Sequence, residues 1–182
     1  METKLALVKV MMNIEIRRVL SDEVDRLRHV AISTFVDTYG ALNSEENMHK
    51  YLQTELSVKK LQTDLFDHEV HFYFAFLNQE IIGYLRLNLG KAQTEFRENN
   101  TIEIERIYVL RTYQGMRVGW QLCDLVCDLA RVQGMEFIWL GVWEKNHSAI
   151  RFYEKYGFVT FSKHVFKLGD EDQTDLLMKL MI

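Results

Sequence analysis

The stretch RTYQGMRVGW, residues 111–120, has residue types and spacing that could hold a ligand. It follows an alternating apolar run, TIEIERIYVL, and precedes a helical pattern, GWQLCDLVCDLARVQG. A strand that ends in a turn and a helix start leaves several backbone N–H groups unpaired and aimed the same way, with the positive end of the helix dipole behind them. Such a turn attracts phosphate. Gly115 and Gly119 would let the backbone approach a ligand or adopt positive φ. The patterns G-x-G-x-x-G and G-x-x-x-x-G-K-[ST] are both absent, which disfavours dinucleotide binding and P-loop nucleotide chemistry. The two cysteines, Cys123 and Cys127, stand four apart in the helical stretch with no other cysteine to complete a ligand set. They read as reduced, packed thiols, and no metal site is expected.

The elements that must position this turn are legible on both sides of it. NIEIRRV alternates as a half-buried strand does. Ser21 then begins a helix whose buried stripe runs through Val24, Leu27, Val30, Ala31, Phe35 and Val36, with Gly40 suited to its end. Asn43 and Glu46 resemble a capping box ahead of a second helix, and a third, short helix holds Val58, Leu61 and Leu65. HFYFAFLN and IIGYLRLNLG read as a hairpin turning at residues 78–80. TIEIERIYVL is the clearest strand, and FIWLGVW reads as a buried central one. NHSAIRFYEKYGF reads as a helix capped near Asn146 and ended at Gly157. The tail reads as strand, acidic turn, strand. This order predicts one α+β domain built on a mixed sheet over 13–182, preceded by an N-terminal extension, residues 1–12.

Composition narrows the class. The 182 residues are 48% apolar and 26% charged, the balance of a soluble globular protein. The longest apolar runs fall far short of the ~20 residues that span a bilayer. Lys9 interrupts the apolar N-terminal stretch and no small-residue cleavage site follows, so no export signal is read and a cytoplasmic location is expected. A net charge of −4 argues against nucleic acid and favours a cationic small-molecule partner. Proline is absent, so turns must rely on Gly, Asn and Asp.

Taken together and in this order, TIEIERIYVLRTYQGMRVGW, FIWLGVW and NHSAIRFYEKYGF resemble the core of the GCN5-related N-acetyltransferases. The stretches FVDTYGALN, FYFAF, IIGYLRLN, AQTE, WLGVWE and FKLGDEDQTD are similar to the bacterial branch that acetylates spermidine and spermine. The resemblance implies about seven mostly antiparallel strands flanked by helices, and acetyl-coenzyme A as the donor. It implies that the backbone amides of Gln114, Gly115, Met116, Arg117, Val118, Gly119 and Trp120 hold the pyrophosphate. Ile107, Tyr108 and Val109 would present strand-edge groups to the pantetheine arm, and Asn146 would bond that arm or cap its helix.

The same resemblance implies that Tyr153 protonates the departing thiolate, that Lys155 reaches a cofactor phosphate, and that Glu105 helps deprotonate the amine. Glu103 shares the Glu105 face by the period of two, and either carboxylate could instead pair with Arg106 or Arg111 at the surface. The Val109 amide would meet the oxyanion. The family pattern carries a glycine where Arg117 stands. An ordinary helical φ is expected there, placing a guanidinium beside phosphate. The acceptor is expected to be a small cationic amine bordered by Phe35, Asp37, Tyr39, Glu45 and the acidic residues Asp170, Glu171, Asp172 and Asp175. A protein N-terminus, another small amine, or a non-catalytic acyl-coenzyme A sensor remain alternatives, and a homodimer stays open.

Overall fold

Alternation in the hairpin sets the layers. Phe72, Phe74 and Phe76 face one side of the sheet, and Tyr73, Ala75 and Leu77 face the other. The computed structural model describes residues 13–95, 100–168 and 171–182, so residues 1–12 and the centre of the acidic turn lie outside the described residues. In chain order the elements are β1 (Glu15–Arg18), α1 (Val24–Tyr39), α2 (Glu45–Thr54), α3 (Val58–Phe66), β2 (Val70–Leu77), β3 (Glu80–Leu89), β4 (Thr101–Val109), α4 (Val118–Gln133), β5 (Phe137–Trp143), α5 (His147–Tyr156), β6 (Val159–Leu168) and β7 (Glu171–Met181). The strands form one seven-stranded mixed sheet in the order β1-β2-β3-β4-β5-β7-β6. Only β4 and β5 run parallel; the other neighbours are antiparallel.

A separate apolar core fills each face. Helices α4 and α5 bury Leu122, Val126, Ala130 and Tyr153 against Ile102, Ile104 and Ile138. Helices α1 to α3 bury Leu27, Ala31, Phe35 and Leu61 against Phe72, Phe74 and Tyr84. Burying any one of these large side chains stabilises the fold by about 1.5–3 kcal/mol, which explains why the periodic stripes dominate the layout.

Local signals decide the ends. Asn78 and Gln79 both take positive φ, 49° and 69°, as a two-residue hairpin turn requires. Gly40 caps the end of α1 as expected, whereas Val36, expected in the buried stripe, is exposed, and the cap of α2 falls one residue beyond Asn43. Gly40 has ordinary helical φ and leads into a short 3₁₀ turn, while Asn43 donates to the Tyr39 carbonyl. The cap of α2 is Ser44, whose hydroxyl accepts the Asn47 N–H. Serine wins because its short side chain reaches back to that amide from an extended backbone.

One irregularity matters for the site. Arg86 pairs with Arg106 but Leu87 pairs with Ile104, so Glu105 is an extra residue bulged out of β4. The bulge resets the alternation. Ile102 and Ile104 before it, and Ile107 and Val109 after it, all pack towards α4 and α5.

Candidate active site

The parallel pairing of β4 and β5 lasts only from Thr101 with Phe137 to Glu103 with Trp139. Beyond that point the strands part, and two cavities open around the gap. A cavity of ≈ 590 Å³ is lined by Ile104 to Val109 of β4, the turn into α4, and Asn146, Phe152 and Tyr153 of α5. A second, ≈ 510 Å³, lies under α1 and α2 against β5 and β7. Tyr39, Glu105, Arg106, Tyr108 and Gly141 line both, so the cavities meet at the split.

The turn into α4 contains two residues with positive φ. Gly115 has φ 80°, and Arg117, the residue before α4, has φ 64° and ψ 14°. The expected helical φ at Arg117 is therefore overturned: the residue sits in the left-handed region that favours glycine. That conformation costs an arginine about 1–2 kcal/mol. What it achieves is convergence. The N–H groups of Gly115 to Trp120 have no acceptor among the described residues, and α4 has no side-chain cap. A run of orphan amides at a helix N-terminus fits a pyrophosphate. The Arg117 guanidinium lies 5.8 Å from the Trp120 ring centre.

Gly119 lines the first cavity without the positive φ that glycine allows. It is helical, and a Cβ there would meet the Phe152 ring at 3.2 Å. Its bareness lets α4 approach α5. Met116 does not line the cavity and packs into the core instead, leaving only its amide for a ligand.

On α5, the Asn146 side chain accepts the Ala149 N–H at 3.1 Å and caps the helix while also lining the cavity. Tyr153 is buried, with Phe152 and Phe158 ring centres at 5.2 and 5.6 Å, and its hydroxyl has no hydrogen-bond partner among the described residues. Burial raises its pKa far above the ordinary phenol value, so it carries its proton at any working pH. Lys155 is exposed and lies off the cavity wall. Cys123 and Cys127 are free and buried, and burial pushes the Cys123 thiol up, which leaves it unreactive.

The second cavity joins aromatic faces to acids. Phe35, Tyr39, Tyr51, Tyr108, Trp139 and Trp143 line it together with Glu55, Glu103, Glu105 and Asp175. Phe35 stacks on Tyr51 with ring centres 4.2 Å apart. Asp37 lines the first cavity rather than the second, and Glu45 is exposed and lines neither. Asp170 lies outside the described residues, as do the side chains of Glu171 and Asp172.

Glu105 is not the surface carboxylate that its pairing with a neighbouring arginine would suggest. It is half-buried, 2.8 Å from the buried Arg86 and 3.3 Å from the buried Arg106, and also accepts from Asn88. Burial alone would raise its pKa, but Arg106 and Arg86 outweigh it and hold the group below the ordinary value. Arg86 continues the chain to Asp64 at 2.9 Å, and Lys60 closes it. Glu103 accepts from Asn88 and from the amide and hydroxyl of Thr94. Burial raises its pKa despite those donors. Sequence reasoning missed Trp139, Trp143, Tyr51 and His164 as cavity wall. The first two were visible in principle, because a period of two through FIWLGVW puts Trp139, Gly141 and Trp143 on one face.

Comparison with known proteins agrees with this geometry. The acetyltransferase (GNAT) family model matches residues 28–158, so the chain belongs to that family. It is an acetyl-coenzyme A-dependent N-acetyltransferase. An uncharacterized N-acetyltransferase encoded in the pepI 3' region of Lactobacillus delbrueckii subsp. lactis is 41% identical over 159 residues, covering 86% of this chain and 92% of that protein. A spermidine N(1)-acetyltransferase of Thermoplasma acidophilum is 25% identical over 172 residues, covering 92% of this chain and 97% of the relative. The crystal structure of PaiA N-acetyltransferase from Thermoplasma acidophilum in complex with coenzyme A shares the fold with a TM-score of 0.78 at 24% identity, over 94% of this chain and all of the other. Among the described residues no helix is long and apolar enough to cross a membrane.

Proposed function

We propose that this enzyme transfers acetyl from acetyl-coenzyme A to a primary amine of a polyamine such as spermidine or spermine, by direct attack while both substrates are bound. The observation that carries the reading is the aromatic, carboxylate-lined cavity that meets the donor cavity at the split between β4 and β5. Aromatic faces and carboxylates attract alkylammonium groups. The similarity to a spermidine acetyltransferase supports the same choice. In this reading the amides of Gly115 to Trp120 hold the pyrophosphate, Ile107 to Val109 pair with the pantetheine arm, and Tyr153 donates to the departing sulfur.

The test is thiol release from acetyl-coenzyme A with spermidine, spermine, a monoamine and a peptide carrying a free N-terminus. Release should be fastest with the polyamines. A preference for the peptide would assign the enzyme to protein N-termini, and a preference for the monoamine would exclude the polycation reading.

Arg117 gives a second expectation. Because its left-handed φ suits glycine better, Arg117→Gly should leave the midpoint of thermal unfolding unchanged or raise it. If the guanidinium meets phosphate, the loss of a charge-assisted bond worth about 1.5–3 kcal/mol weakens coenzyme A roughly tenfold or more. Calorimetry should find pantetheine, which lacks the phosphates, bound as before. Tighter binding of coenzyme A by the glycine variant would show that the arginine impairs the cradle.

A further inference from the structure

The acceptor amine arrives as an ammonium and must lose its proton, yet the bulged Glu105 is committed to two arginines. A second carboxylate faces the same place without that commitment. Asp175 lies on β7 opposite Trp143 of β5 and His164 of β6, and lines the acceptor cavity. Its Oδ2 stands 3.4 Å from the point where a Cβ on Gly141 would be, and Gly141 lines both cavities. The carboxylate therefore overlooks the opening through which amine and thioester meet. Among the described residues no hydrogen bond or ion pair holds it.

We infer that Asp175, rather than Glu105, takes the proton from the acceptor ammonium; this rests on the N-acetyltransferase reading of the joined cavities. The surroundings suit a base working near neutrality. Burial raises the Asp175 carboxyl to about 6, and His164 acts in the opposite sense. His164 pairs through Nδ1 with Glu95, and the Asp175 charge in turn helps raise the pKa of the Tyr39 phenol of α1, which burial already raises. Lys50, Glu55, Glu103, Glu105 and Arg106 line the rest of the cavity.

The protons balance as follows. Asp175 removes one proton from R–NH3⁺; the free nitrogen attacks the thioester carbon, forming C–N. The carbon–sulfur bond then breaks, and the thiolate takes a proton from Tyr153. The second nitrogen proton restores Tyr153, and Asp175 releases its proton to solvent. The products are the amide, coenzyme A thiol and one proton.

The experiment follows kcat/KM against pH with the fastest amine of the panel. The wild type should show an acidic limb centred near pH 6. Asp175→Asn should lose about 10²–10⁴-fold in turnover. It should keep its coenzyme A affinity and lose that limb, its rate climbing towards the pKa of the free amine. Asp175→Glu should restore part of the rate with a displaced limb, and His164→Gln should move the limb upward by removing a nearby cation. A purely structural role would not move the limb. Asp175→Asn with turnover and limb intact overturns the inference, as does a folded Glu105→Gln that alone abolishes the limb. If no amine in the panel releases thiol from the wild type, the polyamine reading fails separately. The carboxyl is then titrated by ¹³C NMR in the coenzyme A complex, where a midpoint near 6 supports the assignment and an ordinary aspartate value overturns it.

Discussion

Replacing Tyr153 by phenylalanine is expected to lower kcat by about 10²–10⁴-fold, the usual worth of a positioned proton donor, while coenzyme A binds nearly as before. The phenol is buried between Phe152 and Phe158, and its hydroxyl has no partner among the described residues. Tyr153 lines the cavity and its hydroxyl bonds to no described protein group, so removal of that hydroxyl should leave thermal stability nearly unchanged. That pairing of a large kinetic loss with no structural loss separates chemistry from packing. The raised pKa also constrains how the group acts. So weak an acid cannot hand over its proton ahead of bond cleavage. It donates a hydrogen bond that strengthens as charge grows on sulfur, completing transfer as the nitrogen proton replaces its own. Stopped-flow single turnovers would check this: an unchanged chemical step in Tyr153→Phe would remove the residue from the reaction.

Glu105→Gln is expected to destabilise the protein by about 3–5 kcal/mol, the typical result of removing one partner from a buried ion pair. Arg86 would keep Asp64, but Arg106 would lose its carboxylate, and its Nη1 is already a buried donor without a partner. Urea denaturation measures the loss. The pH dependence follows from linkage. The folded pKa of Glu105 is lowered from 4.5, so its stabilisation is fully present above about pH 4.5 and disappears as pH falls through the lower folded value. The glutamine variant should therefore lose stability most at neutral pH and converge with the wild type in acid. Asp175→Asn should behave in the opposite sense. A carboxyl raised from 3.8 to about 6 weakens the fold progressively between those values, so the amide should stabilise the protein above pH 6.

The strands around the site were readable because their patterns are strong. TIEIERIYVL alternates so clearly that the predicted strand and β4 differ only at Leu110, and the apolar run FIWLGVW coincides with β5. The donor side was readable too, since a strand, a turn and a helix start are consecutive in the chain. What failed depends on backbone conformation or on distant pairing. Nothing local announces that Arg117 takes positive φ, because the surrounding turn imposes it. Arg86 and Asp64 are separated by 22 residues, and His164 and Glu95 by 69, so no periodicity links them. The acceptor cavity is assembled from α1, α2, β4, β5, β6 and β7, and its identity as one space appears only when the chain is folded.

The bulge at Glu105 means that the separation of donor-side from acceptor-side groups along β4 is written in residue count rather than residue type. Upstream, odd positions serve the acceptor; downstream, Arg106 and Tyr108 do, at even ones. Had Glu105 taken a regular place in the ladder, Arg106 and Tyr108 would turn towards α4 and α5 and Ile107 towards the acceptor. A single-codon deletion of Glu105 would straighten the strand and leave the other side chains of β4 each on its own side.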